Sequence, residues 1–256
     1  SFPFISSELT SDNGVLYGIN RHNNSLILFD RFSLQNANTV VFATSGAGKS
    51  YAVKLEVIRS LMMGTDVIII DPETEYKHLS DAVGGTYINI SLSSENKINP
   101  FDLPRSVSGE SKAMDLIRNA VITAKGLIRI MLGQLGSEED SIIDRALLET
   151  YYKKDITPDS DLSNVEPPIM EDFREILEGT EGGADLALRL QKYTHGTFAG
   201  LFNSPTNVKM DNQLVCFSVR DLEDELRPIA IYTVITHIWN VVRSEMKKRI
   251  LVIDEA

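Results

Sequence analysis

The chain has little cysteine and no long hydrophobic run, and both absences limit what it can be. Its 256 residues include one cysteine, Cys216, so no disulfide framework exists and a reducing cytoplasmic setting fits. Because Cys216 lies in the apolar run 214–217, we expect it to be a buried strand residue rather than a nucleophile. Apolar runs such as 67–70 are too short to cross a bilayer, and the first residues show no signal-peptide pattern, so a soluble piece is expected.

Basic residues are outnumbered by acidic ones. The chain carries 25 Lys and Arg against 36 Asp and Glu, a formal net charge of −11, which argues against a surface devoted to nucleic acid while leaving room for a local basic groove. The four histidines show no metal-ligand spacing, and no zinc site is expected. The chain does not begin with Met and stops on an apolar strand pattern, so we expect a fragment of a longer protein.

The most informative motif is the stretch 43–50, which reads Ala-Thr-Ser-Gly-Ala-Gly-Lys-Ser. A glycine-rich turn lets backbone N–H groups converge on phosphate oxygens, and a following helix offers its positive end. Lys49 can then reach the β- and γ-phosphates while the Ser50 hydroxyl ligates Mg²⁺. Ala43 stands where the pattern more often has Gly; at a strand exit a methyl group is tolerable if φ stays negative. The motif predicts binding of a nucleoside triphosphate.

The surrounding pattern predicts an α/β fold with a mostly parallel sheet. Residues 39–42 and 66–70 are short apolar runs of the buried-strand type, and the helical pattern 51–63 between them ends at Gly64, an arrangement typical of a strand, crossover helix and parallel strand. The runs 14–19 and 25–29, split by a turn-forming stretch, predict an N-terminal β-hairpin. From about 110 to 202 the apolar spacing is helical, which predicts an all-α insertion.

These patterns divide the chain into four parts. We predict a β segment at 1–36, the first part of a P-loop core at 37–105, the all-α insertion at 106–205, and the second part of the core at 206–256.

Acidic residues follow two of the predicted core strands. Asp254 and Glu255 come directly after an apolar run, the arrangement of a Walker B strand, in which Asp254 joins the Mg²⁺ shell and Glu255 polarises the attacking water. The segment 71–76, Asp-Pro-Glu-Thr-Glu-Tyr, follows the strand 66–70. Since ligands gather at the carboxyl ends of parallel strands, these acids are expected near the nucleotide. Capping a helix that starts around Thr74 is an equally good role for them, and both can hold.

Two basic features have alternative interpretations. Arg189 is either a solvated helix charge or an arginine presented to a neighbouring subunit. Favourable pairing with the helix dipole explains the basic residues within 243–249 without DNA, and a DNA-facing role is the alternative.

The predicted site therefore has three groups of residues. Lys49 and Glu255 are the candidate catalytic residues, and Ser50 and Asp254 the candidate Mg²⁺ ligands. The candidate nucleotide-binding residues are Thr44, Ser45, Gly46, Ala47, Gly48, Lys49, Ser50, Tyr51 and Glu73.

Four motifs together resemble one family. They are Ala-Thr-Ser-Gly-Ala-Gly-Lys-Ser at 43–50, Asp-Pro-Glu-Thr-Glu-Tyr at 71–76, Tyr-Thr-His-Gly-Thr-Phe-Ala-Gly-Leu-Phe-Asn at 193–203 and Leu-Val-Ile-Asp-Glu-Ala at 251–256. In their order, and with the helical insertion between them, they resemble the C-terminal ATPase domain of type IV secretion and conjugative-transfer ATPases of the TraC/TrbE kind, within the HerA/FtsK translocase clade.

The resemblance implies a RecA-like P-loop core and Mg²⁺-dependent ATP hydrolysis that powers assembly of a secretion apparatus or transport through it. It also implies work at the cytoplasmic face of the cell membrane, a hexamer or dimer in the full system, and partners among the other secretion components, including a coupling protein. In such proteins a membrane-associated domain precedes this one, and a strand with a sensing Gln and a later arginine follow Walker B.

Other functions compete with this hypothesis. A DNA-pumping translocase of the HerA/FtsK kind would use the same motifs, although the net charge of −11 does not support DNA binding. A docking module that binds nucleotide with little turnover is a non-enzymatic alternative, and a small-molecule kinase is a more distant one because no separate acceptor site can be identified.

Overall fold

The structure is a computed structural model, and it describes residues 11–104, 113–162 and 165–254. The strands are β1 Val15–Ile19, β2 Leu26–Phe29, β3 Asp66–Asp71, β4 Thr86–Asn89, β5 Leu214–Ser218 and β6 Arg249–Ile253. The helices are α1 Lys49–Met62, α2 Lys77–Val83, α3 Ala113–Leu132, α4 Ser137–Lys153, α5 Met170–Gly179, α6 Ala184–Thr194, α7 Ala199–Phe202 and α8 Arg227–Ser244. None of the helices within these ranges is long and apolar enough to span a membrane.

A four-stranded sheet in the order β4-β5-β3-β6 forms the centre of the fold. Every neighbouring pair is parallel, as expected for strands joined by helical crossovers. β3 is apolar from Val67 to Ile70 because both of its faces are covered. The predicted α/β class with a mostly parallel sheet is confirmed.

Alternate residues of β3 face two different hydrophobic cores. Val67 and Ile69 pack with Val57 of α1 in the smaller core, while Ile68 and Ile70 belong to the larger core. This period of two follows from the alternation of side chains along a strand. Helix α1, which follows the glycine-rich loop, is thereby held against one face of the sheet.

Helices α3 to α7 lie between β4 and β5 in the chain and supply most of the larger core. α3 shows the helical apolar stripe clearly, and its buried residues are Ile117, Ala120, Val121, Ala124, Leu127, Ile128 and Met131. The predicted helical character of this stretch is confirmed. The division of the chain at 36, 105 and 205 stays a prediction.

The predicted N-terminal hairpin is also present. β1 and β2 pair antiparallel with a register shift between Leu16 and Gly18, and the rings of Tyr17 and Phe29 meet edge-on at 5.5 Å between centroids. This hairpin is separate from the parallel sheet.

One predicted strand is wrong. Residues 39–42 pair with no strand in the described part of the chain, and Val40 and Phe42 are 73% and 91% exposed. An apolar run indicates that a segment suits a buried strand, but a strand forms only where a neighbour supplies its hydrogen-bonding partners. The described residues provide no such neighbour for 39–42.

Candidate nucleotide-binding site

The glycine-rich loop turns twice through left-handed backbone conformations. Gly46 has φ +78° and Gly48 φ +92°, while the Ala47 N–H donates to the Thr44 carbonyl at 3.1 Å. A Cβ atom on either glycine would meet no heavy atom of the described chain within 4 Å. The positive φ angles, rather than crowding, therefore require glycine at both positions.

The loop delivers an open helix N-terminus. α1 begins at Lys49, and its N-cap residue Gly48 offers no side-chain hydrogen bond. Residues 43–48 are exposed, so the first N–H groups of this 14-residue helix are accessible from outside. The first N–H groups of a helix have no acceptor within the helix, and together with the positive end of the helix dipole they suit an anion.

Lys49 and Asp254 meet across the site, although they are 205 residues apart in the chain. The Lys49 ammonium donates to Asp254 Oδ1. The Lys49 and Asp254 side chains are only 30% and 11% exposed. Asp254 follows β6 directly, and its N–H donates to the Ile70 carbonyl at 3.3 Å. The structure thus brings together the loop lysine and the strand-end aspartate that the sequence singles out.

Asp71 is turned toward its own loop. This carboxylate is 1% exposed and accepts from the N–H groups of Glu75 at 3.0 Å and Tyr76 at 2.9 Å. The Tyr87 hydroxyl donates to it at 3.4 Å. Asp71 therefore fixes the turn after β3. The predicted helix start around Thr74 is wrong, because Thr74 has φ +62° and α2 begins at Lys77.

Tyr76, at the end of this loop, lies close to Asp254. Tyr76 is fully buried, and burial together with the nearby Asp254 raises the pKa of its hydroxyl. Lys54 of α1 lies 5.2 Å from the Tyr76 ring centroid and 3.8 Å from the Glu75 carboxylate. No sequence motif marks Lys54; its position about one and a half turns after Lys49 on the same helix is the signal that the sequence offers.

The remaining predicted nucleotide-binding residues are more exposed. Tyr51 is 74% exposed, and Ser50 is half-buried in the first turn of α1. Glu73 is exposed, and its carbonyl accepts from Arg220 at 3.3 Å. Glu255, the predicted catalytic acid, lies outside the described residues.

Arg189 is held within its own chain. Its guanidinium donates to Glu139 at 3.1 Å and to the Leu132 carbonyl at 2.6 Å. These partners belong to the helical stretch, so the side chain is tied between helices rather than freely solvated.

A glycine-rich loop that opens a helix beside a parallel sheet, with a lysine facing a strand-end aspartate, defines the P-loop class of nucleotide-binding proteins. The model of the TraG P-loop domain matches residues 27–256, and the chain belongs to this family. This confirms the resemblance to the ATPase domains of type IV secretion and conjugation.

Two solved structures illustrate what the chain is similar to. VirB4 of Thermoanaerobacter pseudethanolicus is 28% identical with a TM-score of 0.85, and the match covers 98% of this chain and 69% of that one. The bacterial conjugative coupling protein TrwB, in complex with sulphate, is 16% identical with a TM-score of 0.46 over 82% of this chain and 54% of that one. The comparison with curated proteins found no match.

Proposed function

We propose that this chain binds ATP with Mg²⁺ and hydrolyses it to power type IV secretion or conjugative transfer, through assembly of the apparatus or movement of its substrate. The contact between Lys49 and Asp254 carries the proposal. A cation and a carboxylate from distant parts of the chain meet beside an open helix N-terminus, which is the charge arrangement that a metal-bound polyphosphate needs.

The residues of the loop have distinct parts in this proposal. The backbone N–H groups of residues 44–50, with the side chains of Tyr51 and Glu73, hold the nucleotide. Lys49 exchanges its contact with Asp254 for the β- and γ-phosphates, which frees the carboxylate.

Hydroxyl and carboxylate oxygens are the donor set that Mg²⁺ prefers, and Ser50 and Asp254 provide them. When bound, Mg²⁺ neutralises charge that develops on the phosphates. Glu255 orients and polarises the attacking water. Tyr76, buried beside Asp254, keeps bulk solvent from that side of the carboxylate.

The setting of the reaction is a further part of the proposal. We propose a homo-oligomer, a hexamer or dimer in the full system, that works at the cytoplasmic face of the cell membrane with other secretion components, including a coupling protein. Membership of the TraG P-loop domain family supports these proposals.

Replacing Glu255 tests the hydrolytic step. Glu255→Gln is expected to retain ATP binding, because the phosphate loop is intact, and to lose phosphate release. Glu138→Gln, on the exposed first turn of α4, is the matched control and should turn over ATP like the unaltered protein. Unchanged hydrolysis by Glu255→Gln would remove Glu255 from the mechanism. Steep, salt-sensitive stimulation by DNA would favour a DNA pump instead.

A further inference from the structure

The Arg31 guanidinium joins the N-terminal hairpin, helix α1 and the segment that leads into the phosphate loop. One of its terminal nitrogens donates to the Ala37 carbonyl at 3.1 Å and to the Thr39 hydroxyl at 2.9 Å. The other donates to the Tyr17 hydroxyl at 3.2 Å and pairs with Glu56 of α1. The side chains of Arg31 and Glu56 are 13% and 19% exposed, so this pair is largely shielded from water.

The segment 37–43, called the lead-in here, depends on Arg31 for its attachment. Residues 39–42 pair with no strand. Within the described ranges, the hydrogen bonds that tie the lead-in to other parts of the fold both come from Arg31. The lead-in also has a local hydrogen bond, from the Asn38 N–H to the Asn36 side chain at 2.9 Å.

Helix α1 and the lead-in are the two arms of the phosphate loop. α1 leaves the loop at Lys49 and carries Glu56 two turns later, while the lead-in enters it at Ala43. A guanidinium that holds Glu56 on one arm and Thr39 on the other fixes the distance between the arms. Arginine is suited to this because its planar fork presents several donors in fixed directions.

We propose that Arg31 is a positioning residue for nucleotide binding, and that it makes the N-terminal hairpin a structural support of the phosphate loop. The inference rests on the proposed function. Loop N–H groups act on phosphates only if both arms are held in place, since small displacements of binding groups are costly. Tyr17 adds to the support: burial and the adjacent Glu56 raise the pKa of its hydroxyl to about 12, so it stays neutral and accepts from Arg31.

The chain offers a matched control for Arg31. Arg59, three residues after Glu56 on α1, donates to the Leu16 carbonyl of the same hairpin. Among the described residues, no hydrogen bond or ion pair joins Arg59 to the lead-in. Both arginines connect α1 to the hairpin, and of the two only Arg31 also donates hydrogen bonds to the lead-in. Comparing Arg31→Ala with Arg59→Ala therefore separates loop positioning from general stability.

The experiment measures ATP affinity by titration calorimetry and the melting temperature for each variant. Arg31→Ala is expected to raise the dissociation constant for ATP at least about tenfold. Arg59→Ala should also lower the melting temperature, and it should change the dissociation constant by less than about twofold. Equal changes in affinity for the two variants would overturn the inference.

Arg31→Lys keeps the test decisive if Arg31→Ala does not fold. An ammonium can keep the charge pair with Glu56, but it cannot reach Glu56, Thr39 and the Ala37 carbonyl together. The melting temperature should stay close to that of the unaltered protein while the dissociation constant still rises severalfold. Tight binding by Arg31→Lys would contradict the inference.

The unaltered protein and Lys49→Ala tell the two possible failures apart. If the unaltered protein binds no ATP, the proposed function fails and the inference fails with it. If the unaltered protein binds, Lys49→Ala does not, and the Arg31 variants bind normally, the inference alone is wrong.

Discussion

Replacing Asp71 should unfold the turn after β3 and lower the stability of the whole fold. Asp71 is 1% exposed and its two carboxylate oxygens accept from the Glu75 and Tyr76 N–H groups and the Tyr87 hydroxyl. Asp71→Ala removes all three bonds and leaves the buried Tyr76 N–H without its acceptor.

The magnitude follows from the kinds of bond lost. Hydrogen bonds to a charged acceptor contribute about 1.5 to 3 kcal/mol each, and a buried donor left unpaired costs about 1 to 3 kcal/mol. The Tyr87 contact is long at 3.4 Å, and such losses do not add fully. We therefore expect Asp71→Ala to lower the free energy of unfolding by about 3 kcal/mol. Asp71→Asn, which keeps one acceptor oxygen, should cost about half of that.

Equilibrium unfolding in urea measures these differences. Asp66, at the other end of the same strand, is the matched control: its side chain is 28% exposed and its two ion pairs, with Lys247 and Arg249, are long at 3.9 Å. Asp66→Ala should cost less than about 1 kcal/mol. A loss below about 1 kcal/mol for Asp71→Ala, or equal losses at the two ends, would refute the assigned role of Asp71.

Three further outcomes are expected. Burial raises the pKa of the Cys216 thiol to about 12, so at pH 8 the thiol stays protonated and a thiolate-trapping reagent should react only after denaturant is added; rapid reaction of the native protein would contradict this. Gly126→Ala would place a methyl group against the Tyr232 hydroxyl and should lower the urea midpoint, corresponding to a loss of about 1 to 3 kcal/mol in the free energy of unfolding. An unchanged midpoint would show that the Tyr232 side chain moves aside without cost. Asp254→Asn should weaken calorimetric binding of ATP with Mg²⁺ by about tenfold or more and leave metal-free ATP binding unimpaired, because Lys49 is released; equal losses in both titrations would count against a metal-binding role.

Regular periodicity made the sheet and the helices predictable from the sequence. β3 is a continuous apolar run, and the buried residues of α3 recur at helical spacing. Each pattern is long enough to indicate one type of secondary structure. The proximity of Lys49 and Asp254 could also be anticipated. Both motifs are predicted at the carboxyl ends of parallel strands, and these ends meet at one edge of the sheet.

The errors arise where structure depends on a partner elsewhere in the chain. Residues 39–42 have a strand composition but no strand beside them in the described residues. No sequence motif marks Arg31 and its partners. They come from the hairpin, the lead-in and helix α1, which only the fold brings together. No motif marks Lys54 either, because its neighbours Glu75 and Tyr76 lie in a turn shaped by Asp71 and by a positive φ at Thr74.

The central claim is that the loop at 43–50 binds ATP for hydrolysis. Phosphate release from ATP with Mg²⁺ by the full-length protein, compared with Lys49→Ala, tests it most directly. The unaltered protein should release phosphate continuously, and Lys49→Ala should fall to the rate of the assay without protein, because no other group replaces the ammonium at the phosphates. Equal rates for the two proteins, or no release by the unaltered protein, would contradict the claim.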